Sequence, residues 1–487
     1  RRHQVFQFVK QALWALLILL LPFTSLPLLA RRLGSMVGPA SIIPLALLTL
    51  IWWLPALYRR GGIPHQSIPL FAFLGVALFS IAVSFFLEIP PFQNAQPWRQ
   101  AAEGAATLLL GMAFYLLVAS RPADEDQTAF TLRMLNYAGL ILLGWALVQE
   151  VTFLQQGRYT PLLRSIQALF STGGLYRGRV TAFAFEPSWL SHQLNMIFLP
   201  FWLASTVQGY TAHHRKILGI SLENLLLAGG VITLYLSKSR LGLLAFLLCV
   251  ALLLFLFSLR IVRRLQARFS SRAARGWTAA GFYLGLAVLG ILLLAGTGLY
   301  LSKTDPRMAD LFDFSTLRSK TFLDYAENLS FAARIAYWQA GWNVFNEHPL
   351  LGVGLDNAGF FFYDHLDPSA WEFMEVHTVM YNFAAPPNIK NLWVRLLAET
   401  GLAGFAVFAT WLLVILATGL ALLKRPGKFA RVAGLAVVLT LTGLLVEGFS
   451  VDTFALPYFW ITFGLGTAVY VHGQLPAETS AAAQEPL

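Results

Sequence analysis

Apolar runs of about twenty residues recur along the whole chain, separated by short polar breaks, and one break is far longer than the others. A run of about that length is what an α-helix needs to cross the hydrocarbon core of a bilayer. About twelve candidate spans can be counted, at roughly 11–30, 39–58, 67–89, 102–120, 133–153, 188–208, 217–237, 241–259, 277–301, 398–423, 430–448 and 453–472. The first is followed by Arg31-Arg32 and no small-residue cleavage site, so it reads as a span and not as a removable leader. The long break, of roughly ninety residues, runs from Leu301 to about Leu392. Loops of that length are functional or disordered, and its Trp, Phe and Tyr content argues against disorder. The expected fold class is an all-α integral membrane protein. Residues 1–301 hold spans one to nine with an outer loop at 154–187; residues 302–397 form a large, partly helical outer loop; residues 398–472 hold spans ten to twelve; 473–487 is a disordered tail.

Basic residues orient these spans, because lysine and arginine collect in inner loops. One side holds Arg59-Arg60, Arg215-Lys216, the cluster from Arg260 to Arg275, and Lys424, Arg425, Lys428 and Arg431. Two outer segments are basic as well. Loop 154–187 carries Arg158, Arg164, Arg177 and Arg179, the long loop carries Lys303, Arg307, Arg318, Lys320, Arg334, Lys390 and Arg395, and Lys238 and Arg240 sit at an outer boundary. Any one of these reads as a solvated charge; as a set they suit an anionic, lipid-linked substrate.

Composition agrees with the membrane reading. The chain is 57% hydrophobic and 12% charged, with mean hydropathy +0.62, whereas soluble domains carry about twice that charge. The net charge of +11 belongs with topology, since no basic stripe interleaved with exposed aromatics marks a nucleic-acid face. The single cysteine, Cys249, excludes an intrachain disulfide and a cysteine metal site. His348, His365 and His377 follow no metal-ligand spacing. No cofactor or metal is expected.

Four segments could carry chemistry. In Pro386-Pro387-Asn388-Ile389-Lys390-Asn391, Asn388 reads as the N-cap of a short helix with the apolar stripe Ile389, Leu392, Trp393, Leu396 and Leu397, ended by Gly401. Lys390 then falls in the first turn, where the macrodipole disfavours a cation unless an anion arrives; otherwise it is a snorkelling lysine. Upstream, Ser330 to His348 reads as an amphipathic helix lined by Ile335, Trp338, Trp342 and Phe345, with Arg334 beside Trp338 and a tight turn at Gly352 and Gly354. Glu186 precedes Pro187 at a helix start, either as a dipole cap or as a carboxylate paired with Arg179 or acting as a base. Arg240, in Ser237-Lys238-Ser239-Arg240, is an interfacial anchor or a phosphate fork.

Over roughly 170–405 these residues resemble the O-antigen polymerase and O-antigen ligase superfamily. The likeness rests on Glu186-Pro187-Ser188 before a span and Ser239-Arg240 between spans. It continues through Arg334 and Trp338 followed by Pro349 and Gly352-Val353-Gly354, and ends with Asn391 set nine residues ahead of Gly401-Leu402-Ala403-Gly404. Lys390 stands where the family has histidine. A lysine of ordinary pKa holds phosphate but is a poor base; His365 and His377 are further candidates for a base, with structural roles favoured.

The resemblance implies a GT-C-type membrane glycosyltransferase that works without a metal on the periplasmic face of a bacterial inner membrane. Its donor is a glycan on undecaprenyl pyrophosphate and its acceptor a glycan or lipid-linked glycan, with membrane lipid and a chain-length regulator as candidate partners. On this reading Glu186, Arg240, Arg334 and Lys390 are the catalytic set, and Arg177, Arg179, Trp338, Asn391, Arg395 and His377 bind substrate. Trp338, Trp342, Phe360, Phe361, Phe362, Tyr363 and Trp371 are candidates for stacking on sugars. A polymerase of repeat units is favoured. The alternatives are a ligase that moves the glycan to lipid A core or protein, and a transporter of a lipid-linked anion. A transporter would place charges near the bilayer midplane, and the middles of these spans are almost free of them.

Overall fold

The computed structural model describes residues 2–33, 35–60, 62–121, 123–213, 216–266 and 331–473, with scattered positions between 277 and 303. Most of the expected ninth span, the stretch 304–330, most of the basic inner loop and the tail lie outside the described residues. Every regular element among those described is a helix. Among the described residues seven helices are long and apolar enough to cross a membrane: Ile42–Arg59, His65–Ser84, Pro97–Ala119, Glu125–Gln156, Arg240–Leu259, Leu392–Lys424 and Lys428–Glu447. Shorter helices occupy other expected spans, at Leu222–Ser237 and Tyr458–His472. The expected span at 188–208 is one helical rod made of Pro187–Gln193, a π-helical turn at Leu194–Phe198, and Leu199–Gln208.

In a bundle like this one, close packing depends on small residues that let backbones approach. Gly419 and Gly434 face each other across Leu392–Lys424 and Lys428–Glu447; a Cβ on Gly434 would lie 2.6 Å from the Gly419 carbonyl oxygen. Trp202 fills the gap left by Gly139 and Gly230 and donates its indole N–H to Asn136 Oδ1 at 2.9 Å. Around these contacts runs one core through the whole bundle. A second, smaller core joins Phe92 to residues of 332–398, so the described part of the long loop is a packed lobe.

Two spans depart from expectation at helix breaks. The first is two helices, Arg2–Leu19 and Pro27–Leu33. Proline cannot donate an i→i−4 bond, and Pro22 and Pro27 bracket the break. The freed groups are used: Thr24 O accepts from Gly38 N at 3.1 Å, and Thr24 Oγ1 accepts from Phe185 N at 2.9 Å. The tenth span starts at Leu392 and breaks at Gly401, whose φ of 64° and ψ of −170° suit glycine alone.

That second break is matched to the Gly352-Val353-Gly354 turn group by group. Val353 N and Gly354 N donate to the Ala398 and Glu399 carbonyls at 3.0 and 2.9 Å. Leu402 N and Ala403 N donate to the Pro349 and Leu350 carbonyls at 2.8 and 3.2 Å. Ser80 Oγ clamps both strands of the junction, donating to Leu351 O at 2.6 Å and Glu399 O at 2.7 Å. The interrupted helix therefore leaves these backbone groups satisfied, and the turn and the helix break need each other.

The helix Ala332–Glu347 forms where expected, but a different face is packed. Its buried side is Ala332, Ala333, Ala336, Tyr337, Ala340, Gly341 and Val344, while Trp342 is 48% exposed. A Cβ at Gly341 would meet Ile389 and Val394 at 2.9–3.0 Å. The small-residue face wins because it lets this helix lie against the start of Leu392–Lys424.

Candidate functional site

Glu186 is delivered by a stretch of buried, non-helical backbone. Val180, Thr181, Ala182 and Ala184 are fully buried, so their polar groups need partners from the protein. Gln149 and Gln167 supply many of them. Gln149 Oε1 accepts from Thr181 N and Ala182 N at 3.1 and 2.9 Å, and both glutamines donate to Ala182 O at 3.0 Å. Val180 N donates to Leu236 O at 3.1 Å, tying this stretch to the turn that carries Arg240. Glu186 occupies the N-cap position of Pro187–Gln193, but its carboxylate accepts from Ser188 Oγ and caps no backbone amide.

Arg179 donates from Nε to Ser237 O at 3.1 Å. Partial burial pushes the Tyr176 phenol above its ordinary value; Glu186 adds to that shift and Arg179 opposes it, so the three groups share one neighbourhood. Ser191 Oγ donates to Ser239 Oγ at 2.9 Å, and a Cβ at Gly242 would lie 2.4 Å from Ser191 Cβ. Glycine there brings the start of Arg240–Gln266 against the Glu186 helix. Arg240 is half-buried at that start, three residues after Ser237, whose carbonyl Arg179 holds. Arg177 is exposed on the same loop.

The second cluster gathers around the loop 448–457; the last span was expected from 453, but its helix starts only at Tyr458 and the residues before it are non-helical. Arg334 Nη1 donates to Ser450 Oγ at 2.9 Å and Ser450 O at 3.4 Å. Lys390 N donates to Asp452 Oδ2 at 2.8 Å, and Asn388 Nδ2 to Asp452 Oδ1 at 3.3 Å. Trp338 Nε1 donates to Lys390 O at 3.3 Å.

Several expectations change here. Asn391, not Asn388, is the N-cap: its Oδ1 accepts from Trp393 N and Val394 N at 2.9 and 3.2 Å, while its Nδ2 is buried with no hydrogen-bond partner. Lys390 precedes the cap with φ of 56°, outside the first turn. Its ammonium pairs with Glu375 and lies 5.1 Å from the centre of the Tyr337 ring. Burial, with Glu375 adding, raises the Tyr337 phenol. Arg395, expected to bind substrate, is buried among protein acceptors: Glu399 Oε2 at 2.9 Å, Asp452 O at 2.5 Å and Asp356 Oδ1. A guanidinium so engaged holds the short helix to the loop 448–457. His377 is exposed and faces Tyr381, with ring centres 4.7 Å apart. His365 bridges Phe361 O at 2.7 Å and Glu347 at 2.9 Å, a packing role.

A buried polar chain joins the two clusters. Glu447 accepts from Asn195 Nδ2 at 2.7 Å, and Asn195 also donates to Gly242 O at 2.8 Å. Ser450 N donates to Glu447 O at 2.8 Å. The path thus runs from Arg334 through Ser450, Glu447 and Asn195 to the helix headed by Arg240. His192 Nδ1 lies 4.0 Å from the free Glu447 oxygen. Polar residues inside candidate spans were the signal that could have found this chain. Among the described residues no group of three or more His, Cys, Asp or Glu side chains is placed to hold a metal ion.

A comparison with curated proteins gives no match. Residues 225–409 match a family model described as O-antigen ligase. That segment contains Arg240, Arg334, Trp338, Lys390 and the Gly401 break. The match makes this segment similar to the O-antigen ligase family, within a multi-helix protein that has several apolar helices of membrane-crossing length.

Proposed function

We propose that the protein is a glycosyltransferase of the bacterial inner membrane that polymerises undecaprenyl-pyrophosphate-linked repeat units at the periplasmic face. One observation carries this reading: the polar chain through Glu447 and Asn195 draws the Arg179, Glu186 and Arg240 cluster and the Arg334 and Lys390 cluster to the same end of the bundle. In the reaction an acceptor hydroxyl oxygen bonds to the anomeric carbon of the donor. The bond from that carbon to the lipid pyrophosphate breaks, and the pyrophosphate keeps the electron pair. Charge grows on the leaving group, where preorganised cations are most effective. Arg240 and Arg334 fill that role, with Arg179 in support. Lys390 joins them by exchanging Glu375 for a phosphate. Glu186, held by Ser188 at the mouth, takes the acceptor proton. Arg395 and Asn391 act through position, fixing the backbone that carries Lys390.

A ligase is the second reading, favoured by the description of the matching family. Purified protein in detergent, given a lipid-pyrophosphate oligosaccharide and a chelator, separates them. A ladder of longer lipid-linked glycans supports the polymerase. Transfer that waits for a core-lipid or protein acceptor supports the ligase. No transfer under either condition refutes both.

A further inference from the structure

The outer lobe carries a strip of aromatic rings set in an acidic surface. Tyr363 and Trp371 have ring centres 5.3 Å apart, Trp371 and Tyr381 5.9 Å, and Tyr381 and His377 4.7 Å. Tyr363 is 60% and Tyr381 55% exposed. The strip stands on packed elements. Phe362, Val376 and Met380 beneath it belong to the second core, and Gln93 Nε2 donates to Met380 O and Tyr381 O at 3.3 and 3.2 Å. Large exposed aromatic patches on a built support mark interaction surfaces.

Charge narrows the occupant. The chain as a whole carries +11, yet from Asn357 to Ile389 it has no lysine or arginine and has Asp364, Asp367, Glu372 and Glu375. Asp364, Glu372 and Glu375 are exposed. An anionic lipid surface attracts basic segments and is repelled by this one. A polyanionic glycan is repelled for the same reason. An uncharged glycan meets no such barrier: its C–H faces stack on the rings, and its hydroxyls donate to the carboxylates, which are acceptors only. The strip is also continuous with the candidate site, because Glu375, on the helix that bears His377 and Tyr381, pairs with Lys390.

We propose that Tyr363, Trp371, His377 and Tyr381 form a subsite that binds several consecutive electrically neutral sugars of the glycan being transferred. The inference rests on the transfer reading above, but its test needs no turnover. The full-length protein in detergent is titrated with neutral maltohexaose and chitohexaose, with anionic oligogalacturonate, with oligolysine, and with vesicles of anionic lipid. Binding is followed by tryptophan fluorescence and saturation-transfer NMR. The expected result is saturable binding of a neutral hexasaccharide, insensitive to salt, about tenfold weaker in Trp371→Ala, and weakened in Tyr363→Ala. Tyr363 is exposed enough for that second variant to keep the fold, and an unchanged size-exclusion profile checks it. Trp371→Phe should retain most of the affinity. Binding to oligolysine or anionic vesicles alone, neutral binding unchanged in both alanine variants, or no binding of any probe overturns the proposal. Neutral binding at the strip in a protein that transfers nothing would leave this subsite standing and remove the transfer reading.

Discussion

Replacing Arg395 separates a positioning role from substrate contact. Its side chain is 6% exposed and that of Glu399 5%, with Asp356 at 26%. Arg395→Ala would strand the buried Glu399 carboxylate and leave Asp356 and the Asp452 carbonyl without their donor. Breaking a buried ion pair by removing one partner costs about 3–5 kcal/mol. Arg395→Lys keeps the charge but loses the planar fork that reaches three acceptors, and each charged hydrogen bond lost costs about 1.5–3 kcal/mol. Replacing the pair together, Arg395→Met with Glu399→Met, leaves no orphaned charge on the helix. It should cost clearly less than Arg395→Met alone, a coupling that a double-mutant cycle reads directly. Thermal unfolding followed by tryptophan fluorescence, at one detergent concentration and one scan rate, measures wild type, the Arg395 single variants, Glu399→Met and the double variant. The order expected is wild type, then the double variant, then the single ones. Donor binding measured in parallel should fall only as folding falls. If Arg395→Ala melts like wild type while donor binding disappears, Arg395 is not a structural anchor and contacts substrate instead.

Other outcomes can be checked in the same protein. Arg240→Ala and Arg334→Ala should each lower turnover by about 10²-fold or more with unchanged size-exclusion profiles, through lost leaving-group stabilisation; near-normal rates in both would remove the proposed cation site. Gly401→Ala places a Cβ about 2.2 Å from the Leu350 carbonyl and forces a conformation that costs about 1–3 kcal/mol before the clash is counted. It should lose most folded protein, whereas Gly75→Ala, with nothing within 4 Å of its new Cβ, should fold normally. Lys390→Arg should keep partial activity if residue 390 is an anion contact. An inactive Lys390→Arg together with a pH optimum set by that residue would assign it base chemistry instead. Glu375→Gln releases the ammonium and should lower KM for the lipid-linked donor; an unchanged KM would argue that Lys390 never leaves Glu375 for phosphate.

The apolar runs alone marked the seven helices of membrane-crossing length among the described residues, since long apolar stretches leave a chain few other choices. Local chemistry marked more: Gly401 as a stop and Arg334 and Trp338 on a helix ended by Pro349 could be read from a few neighbouring residues. What lay beyond reach was every pairing set by how helices cross. The bulky face of Ala332–Glu347 looked like its core face, yet the alanine face packs, because backbone approach depends on the partner and not on residue size. Arg395 looked available to a ligand until Asp356, Glu399 and the loop 448–457 arrived around it. Asp452 and Ser450 gave no local signal at all, and only the return of that loop against the lobe of residues 332–398 brings them to Lys390 and Arg334. Apolar periodicity is a property of one segment and survives in the sequence. A hydrogen bond between residues 62 or 116 positions apart depends on the rotation and depth of two helices, which only their mutual packing decides.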